Sequence, residues 1–193
     1  MELPKEYNAK EIEEKWQKYW EKNKIYEFDN KSKKPVYSID VPPPYASAGH
    51  LHIGHALHYT QFEILARYRR MLGYNVYFAP CFDNNGLPTE KYVEEKYQIS
   101  KSSTTREKFR KLCKEESAKV EHEYANHVFR KLGHSYDWSL LYTTIDQESQ
   151  KVAQMSFLDL YEKNLCYRAE QPTLYCINHQ TALAQAEVED AER

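Results

Sequence analysis

The sequence predicts an α/β fold built on a parallel sheet, and three observations predict it. Two strand-like runs, 36–41 and 75–79, flank a helical pattern over 55–72. Strand, helix, strand with a loop after each strand is a βαβ unit, whose crossover is right-handed. The residues with chemistry to offer, His52 to His55 and Asp83 to Glu90, fall in the loops after the two strands, at the edge where open parallel sheets bind ligands. Finally, 193 residues with 41% apolar content suffice for one large domain or a domain with an appendage.

Each element has a local reason. Asn8-Ala9-Lys10-Glu11 reads as a capping box. It opens a helix to about Asn23, with Ile12, Trp16, Tyr19 and Trp20 on one face and Glu and Lys on the other. A basic turn over 30–35 leads to the first strand, expected to be buried. Pro42, Pro43 and Pro44 forbid helix and central strand and force an extended path. In the helix that follows, Phe62, Leu65, Tyr68 and Leu72 recur at helical spacing, and Gly73 is its stop. After the second strand, 80–88 reads as an irregular loop. Thr104-Thr105-Arg106-Glu107 is a second capping box, opening a helix that runs to Leu132 before Gly133. Residues 136–144 are mixed. A third helix over 146–164 carries Val152, Met155, Phe157, Leu158, Leu160 and Tyr161 around much of its circumference, so a buried helix is expected. The stretch 161–168 reads as helix end, turn and short strand, and 173–177 as another strand. The last segment is small and acidic and carries no stop signal.

Composition narrows the function classes. The formal charge of −2 leaves nucleic-acid contact to a local patch rather than the whole chain. The cysteines at 81, 113, 166 and 176 form no secreted disulfide pattern, nothing resembles a signal peptide, and no run of about 20 apolar residues occurs. A reducing cytoplasm is the expected setting. No Gly-x4-Gly-Lys-Ser/Thr run exists, which excludes a P-loop NTPase.

Leu51-His52-Ile53-Gly54-His55-Ala56 is the strongest local signal. Gly54 lets a ligand or backbone approach, and the helix that follows supplies a positive N-terminus. Two imidazoles there can donate to phosphate oxygens, above all as charge builds on them in a transition state. Metal binding is the rival reading, without an obvious third ligand. Asp83 can hold a ligand ammonium by a charge-assisted bond, or it can make an Asx turn. Cys176 and His179 have half the spacing of a zinc site and lack the other half. Arg67, Arg69, Arg70 and Lys91 offer phosphate contacts or a solvated face.

Taken in order, four segments resemble those of class I aminoacyl-tRNA synthetases. They are Pro42-Pro43-Pro44 leading into Leu51-His52-Ile53-Gly54-His55-Ala56, then Phe82-Asp83-Asn84-Asn85-Gly86-Leu87-Pro88-Thr89-Glu90, then Asp137-Trp138-Ser139 with Tyr142-Thr143-Thr144-Ile145-Asp146, and Thr181-Ala182-Leu183-Ala184-Gln185-Ala186-Glu187-Val188-Glu189. The order resembles the valyl/isoleucyl/leucyl subgroup, and the second and fourth segments are most similar to its valyl branch of archaeal type. The resemblance implies the first half of a Rossmann-type nucleotide-binding fold, with 1–34 as N-terminal helix and lead-in, 35–168 as the catalytic half-fold and 169–193 as the start of an editing insertion.

The resemblance also implies roles. His52 and His55 contact the phosphates of ATP, and Gly54 lets the nucleotide lie against the backbone. Asp83 holds the ammonium of a branched amino acid, valine foremost. Pro43, Pro44 and Tyr45 wall its pocket, with Asn85 and Glu90 as further pocket residues. Mg2+ accompanies ATP, and no metal ligands are assigned in the chain. The family's later Lys- and Ser-rich ATP loop has no counterpart here, since Lys101-Ser102-Ser103 stands out of context. The chain therefore reads as an N-terminal catalytic fragment, with tRNA contacted through regions beyond it. A complementing chain, self-association through unpaired strand edges, and a non-catalytic nucleotide-binding paralogue are the further expectations.

Overall fold

The computed structural model describes residues 7–45, 51–84, 86–178, 180–183, 185 and 188. It divides into two compact units, Met1–Lys151 and Val152–Arg193. Asn85 and His179, named above, lie outside the described residues.

The first unit is organised by a parallel sheet with residues 75–83 in its middle. Strand β1 (Val36–Ser38) pairs in parallel with β2 (Asn75–Tyr77), Val36 opposite Asn75 and Ser38 opposite Tyr77. The pairing continues along the proline run. The Ile39 N–H donates to the Tyr77 carbonyl and the Asp83 N–H to the Pro44 carbonyl, both at 2.9 Å, and Tyr45 bridges to Asp83. Prolines have no N–H to give, so at Pro44 the donor comes from the middle segment, as the Asp83 N–H. On the other side, β3 (Cys81–Phe82) pairs in parallel with β4 (Tyr142–Thr143), and the Asp137 N–H donates to the Phe78 carbonyl at 2.9 Å. The stretch that looked mixed from sequence is thus the third member of the sheet.

Burial in the first strand begins late. Val36 is exposed, whereas Ile39 and Val41 are buried with Val76, Phe78, Phe82 and Tyr136 in the core. The expected βαβ crossover is α2 (Ile53–Met71), ended by Gly73 at φ +87°, a backbone that glycine adopts without penalty. Its buried face is Tyr59, Glu63 and Ala66; Tyr68 and Leu72, expected on the inner stripe, are more than half exposed. The rotation has a polar cause. Glu63 is buried because its Oε2 accepts the Ser135 N–H at 2.7 Å and hydroxyl at 2.9 Å, while its other oxygen pairs with Arg67. A carboxylate so satisfied can take an inner position that an apolar count assigns to others.

Helix α1 (Ala9–Lys22) buries no residue, and Asn8 makes no side-chain cap, so the first capping box does not form. Helix α3 (Leu87–Tyr97) occupies ground read as loop and beyond. Its signals were Gly86 at φ +121° and a proline in the first turn. Helix α4 (Arg106–Glu123) is capped one residue later than expected, by Thr105 accepting from the Lys108 N–H at 3.3 Å. It passes into a π-helical turn (Tyr124–Phe129) before Gly133 at φ +73°. The π turn places Tyr124, Ala125 and Phe129 in the core.

Helix α5 (Gln147–Glu162) begins at Asp146, whose carboxylate accepts the Ser149 N–H at 2.7 Å and the Thr143 N–H at 2.9 Å. These bonds hold its pKa below the usual value. The expectation of a buried helix fails. Val152, Met155, Phe157, Leu158, Leu160 and Tyr161 are all at least 40% exposed, because no described element of their own unit covers them. The strand expected near 165–168 does not form either. Just past the helix the chain turns at Asn164 with φ +56°, and the next pairing is the antiparallel hairpin of β5 (Tyr175–Cys176) and β6 (Thr181–Ala182). Among the described residues no helix is long and apolar enough to cross a membrane.

Candidate active site

Two loops meet the requirements of a site because the strands that precede them are parallel neighbours. Tyr45 bridges to Asp83, and the chain reaches α2 eight residues after Tyr45. The N-terminus of α2 and the end of the middle strand therefore belong to the same sheet edge.

At the helix end the two histidines cap the chain reciprocally. His52 is extended, and its Nδ1 accepts the Gly54 N–H at 3.1 Å; the His55 Nδ1 accepts the His52 N–H at 3.2 Å. The rings lie 3.9 Å apart at 37°. A neutral imidazole whose Nδ1 accepts carries its proton on Nε2, so each ring keeps one N–H for a ligand. Partial burial first, then the neighbouring His52 and His58, lowers the His55 pKa. That pushes it toward a neutral donor at pH 7 rather than a cation. Gly54 leaves room for the cap: a Cβ there would lie 2.8 Å from the Cε1 of His52, so the ring would have to move. A cavity of about 310 Å³ beside this turn is lined by His52, Ala56, Tyr59, Tyr124 and Phe129 among others.

At the strand end, Asp83 is half-buried, and its Oδ1 accepts the Thr144 hydroxyl at 3.1 Å; the same hydroxyl oxygen accepts the Asn84 N–H at 2.9 Å. The third member of the sheet thus orients the carboxylate. Pro44 is buried and Pro43 half-buried beside it, while Tyr45 is exposed. Asn84 is buried and donates through Nδ2 to Glu121 of α4, whose pKa is raised by burial, with the Asn84 bond opposing. A second cavity, about 330 Å³, has Asn84, Gly86, Glu90, Cys113 and Thr144 in its wall. Glu90 reaches it but is ion-paired with Lys101, so it meets a ligand only as part of a pair. That pair also settles Lys101 in a structural contact.

The basic residues of α2 are engaged within the first unit rather than forming a solvated face. Arg67 donates to the Gly133 carbonyl at 2.7 Å and Arg70 to the Ser135 carbonyl at 2.9 Å, and Arg69 lies 4.3 Å over Tyr37. Lys91 is exposed. Among the described residues no group of three or more His, Cys, Asp or Glu has the arrangement of a metal site. Thr144 and Glu121 are the residues that sequence reasoning missed. Thr144 stood inside a quoted segment, but its partner is 61 positions away.

A turn with two capped imidazoles and an oriented carboxylate stand at one edge of a parallel sheet, and comparison with known proteins gives the class. Residues 15–193 match the family described as tRNA synthetases class I (I, L, M and V). The chain belongs to that family. It is 46% identical over 193 residues to the valine–tRNA ligase of Rickettsia felis and 49% identical over 193 residues to that of Methanocaldococcus jannaschii, all of this chain and 22% of each relative being covered. The solved ternary complex of Agrobacterium radiobacter K84 LeuRS with tRNA and LeuAMS has a TM-score of 0.75 at 28% identity, over 95% of this chain and 21% of that one. The chain thus spans about a fifth to a quarter of these relatives' length.

Proposed function

We propose that this chain carries the amino-acid-activating part of a valine–tRNA ligase. The observation that carries the reading is the pair of reciprocally capped histidines at the start of α2 together with Asp83 at the end of the adjoining strand. The valine carboxylate oxygen attacks the α-phosphorus of ATP, the bond to the bridging oxygen breaks, and pyrophosphate leaves with its electron pair. No covalent bond to the protein forms. Catalysis is positioning and charge stabilisation. The Nε2–H groups of His52 and His55 donate to phosphate oxygens as negative charge accumulates. Gly54 leaves the backbone open to the nucleotide. Asp83, held by Thr144, takes the ammonium group. Pro43, Pro44 and Tyr45 form the apolar wall, with Asn85 and Glu90 as further pocket residues. Mg2+ arrives as MgATP, held largely by phosphates. One methylene separates valine from isoleucine, worth about 1–3 kcal/mol in such a pocket, so the relatives' names support valine more than the pocket does. Transfer to tRNA, through further regions or a complementing chain in the cytoplasm, belongs to the same reading.

The rival reading is a nucleotide-binding module without chemistry. ATP–pyrophosphate exchange with valine, isoleucine and threonine, each with a His55→Ala control, decides between them. Exchange with valine that disappears in the variant is the expected result. Blank exchange with every amino acid, while calorimetry still detects ATP, would establish the rival.

A further inference from the structure

Three hydrogen bonds run in series from α4 to the carboxylate of Asp83. The Asn84 Nδ2 donates to Glu121, in the last turn of α4. The Asn84 backbone N–H donates to the Thr144 hydroxyl oxygen at 2.9 Å, and that hydroxyl donates to Asp83 Oδ1 at 3.1 Å.

The chemistry gives the series a direction. A threonine hydroxyl has one proton to give and rotates to suit its partners. Because its oxygen accepts the Asn84 N–H, the proton is left to point at Asp83. The sheet sets the backbones on either side independently. The Thr144 N–H donates to the Phe82 carbonyl at 3.1 Å, and the Asp83 N–H to the Pro44 carbonyl at 2.9 Å. Asn84 is the first residue past the Tyr45–Asp83 bridge, so the ladder does not hold it. Glu121 holds its side chain instead.

Glu121 is not needed to fasten its own helix. Glu116 already joins α4 to α3, accepting from Lys96 and Tyr97. Glu121 is half-buried, and the Asn84 amide, rather than a lysine or arginine, offsets the cost of burying its charge. A carboxylate placed there secures the loop after the strand.

We infer that Glu121 is a positioning residue for the amino-acid half of the site. Through Asn84 it fixes the Thr144 hydroxyl, and with it the carboxylate that takes the ligand ammonium. The inference rests on the role proposed above for Asp83.

The test uses the full chain and variants that cut the series at different points. Glu121→Leu removes the acceptor, Asn84→Ala removes the donor, and Glu121→Gln keeps an acceptor oxygen at similar size. In pyrophosphate exchange the KM for valine should rise about fivefold in each of the first two, the scale of one hydrogen bond. Their kcat and KM for ATP should hold, and Glu121→Gln should stay near wild type. Thr144→Val with Glu121→Leu should raise the valine KM no further than Thr144→Val alone, because the two residues act in series. Multiplied effects in the double variant, or an equal loss of ATP binding in Glu121→Leu, would mark a general structural role and overturn the inference. A second readout needs no activity: the Thr144 χ1 rotamer by methyl NMR, its peak assigned by loss in Thr144→Val. A single rotamer is expected in wild type and Glu121→Gln, and averaging in Glu121→Leu and Asn84→Ala. An unchanged rotamer in both disrupting variants overturns the inference. Blank exchange in wild type with the expected rotamer changes would instead overturn the activation chemistry and support the series of bonds.

Discussion

A methyl group on Gly54 would collide with the His52 ring at 2.8 Å, and that ring is held in place by the Gly54 N–H. Gly54→Ala therefore displaces the histidine while giving the helix a better former. The expected outcome is pyrophosphate exchange down by about a hundredfold or more, the scale of a lost transition-state donor, with helicity by circular dichroism retained. Thr144 acts on the other half. Thr144→Val removes the hydroxyl that donates to Asp83, and the KM for valine should rise about tenfold, the equivalent of about 1.4 kcal/mol, while ATP affinity by calorimetry holds; Thr144→Ser should restore the wild-type value. Gly54 was legible because a glycine between two histidines before a helix has few local explanations. Thr144 was not, because a threonine at a strand end looks like any surface hydroxyl until its partner is known. His134 carries a pH signature. Burial, then Arg67, lowers its pKa from 6.5 to about 4. Between these values the unfolded chain binds a proton that the native one refuses, so stability contributed above pH 6.5 is lost as pH falls toward 4, by up to about 3 kcal/mol. Urea unfolding at pH 7 and pH 4.5 should show His134→Phe losing markedly less stability than wild type.

Helices α3 and α4 are joined by a carboxylate. Glu116 of α4 is 2% exposed and accepts from Lys96 and from Tyr97 Oη at 2.8 Å on α3, and from Lys119 at 2.6 Å on its own helix. Burial alone would raise its pKa; the bonds from Lys119, Lys96 and Tyr97 outweigh that and bring it to about 2. Glu116→Ala should cost about 1.5–3 kcal/mol in urea unfolding at pH 7, and the difference from wild type should shrink as pH falls from 4.5 toward 2. Two elements escaped the periodicity reading for opposite reasons. In α2 the inner stripe includes Glu63, so counting apolar residues rotates the helix. In α5 the apolar residues are numerous and predict burial, but a pattern reports what a face needs, not whether anything lies on it. Strand positions were legible because extended β-branched and aromatic runs sat next to prolines and glycine; α3 was not, because its start is hidden in a loop-like Asn-Asn-Gly-Leu-Pro sequence.

At the scale of the molecule, the exposed Val152, Met155, Phe157, Leu158 and Tyr161 amount to an apolar surface that soluble chains rarely leave bare. Self-association is the expected behaviour. Light scattering at micromolar concentrations should give a mass above the monomer, reduced by Phe157→Glu with Leu158→Glu; a monomeric mass throughout would contradict it. The sheet has a further consequence in time rather than space. Val36 pairs with Asn75 and Cys81 with Tyr142, so each parallel pairing closes a loop of tens of residues, the kind of contact that folding chains make slowly. The histidine cap of α2 closes over three residues and forms as soon as that helix does. The Asp83–Thr144 bond spans 61 and waits for the last strand to dock. During refolding the chain should thus acquire its phosphate-facing turn early and its oriented carboxylate last, making the carboxylate half of the site the report that folding is complete.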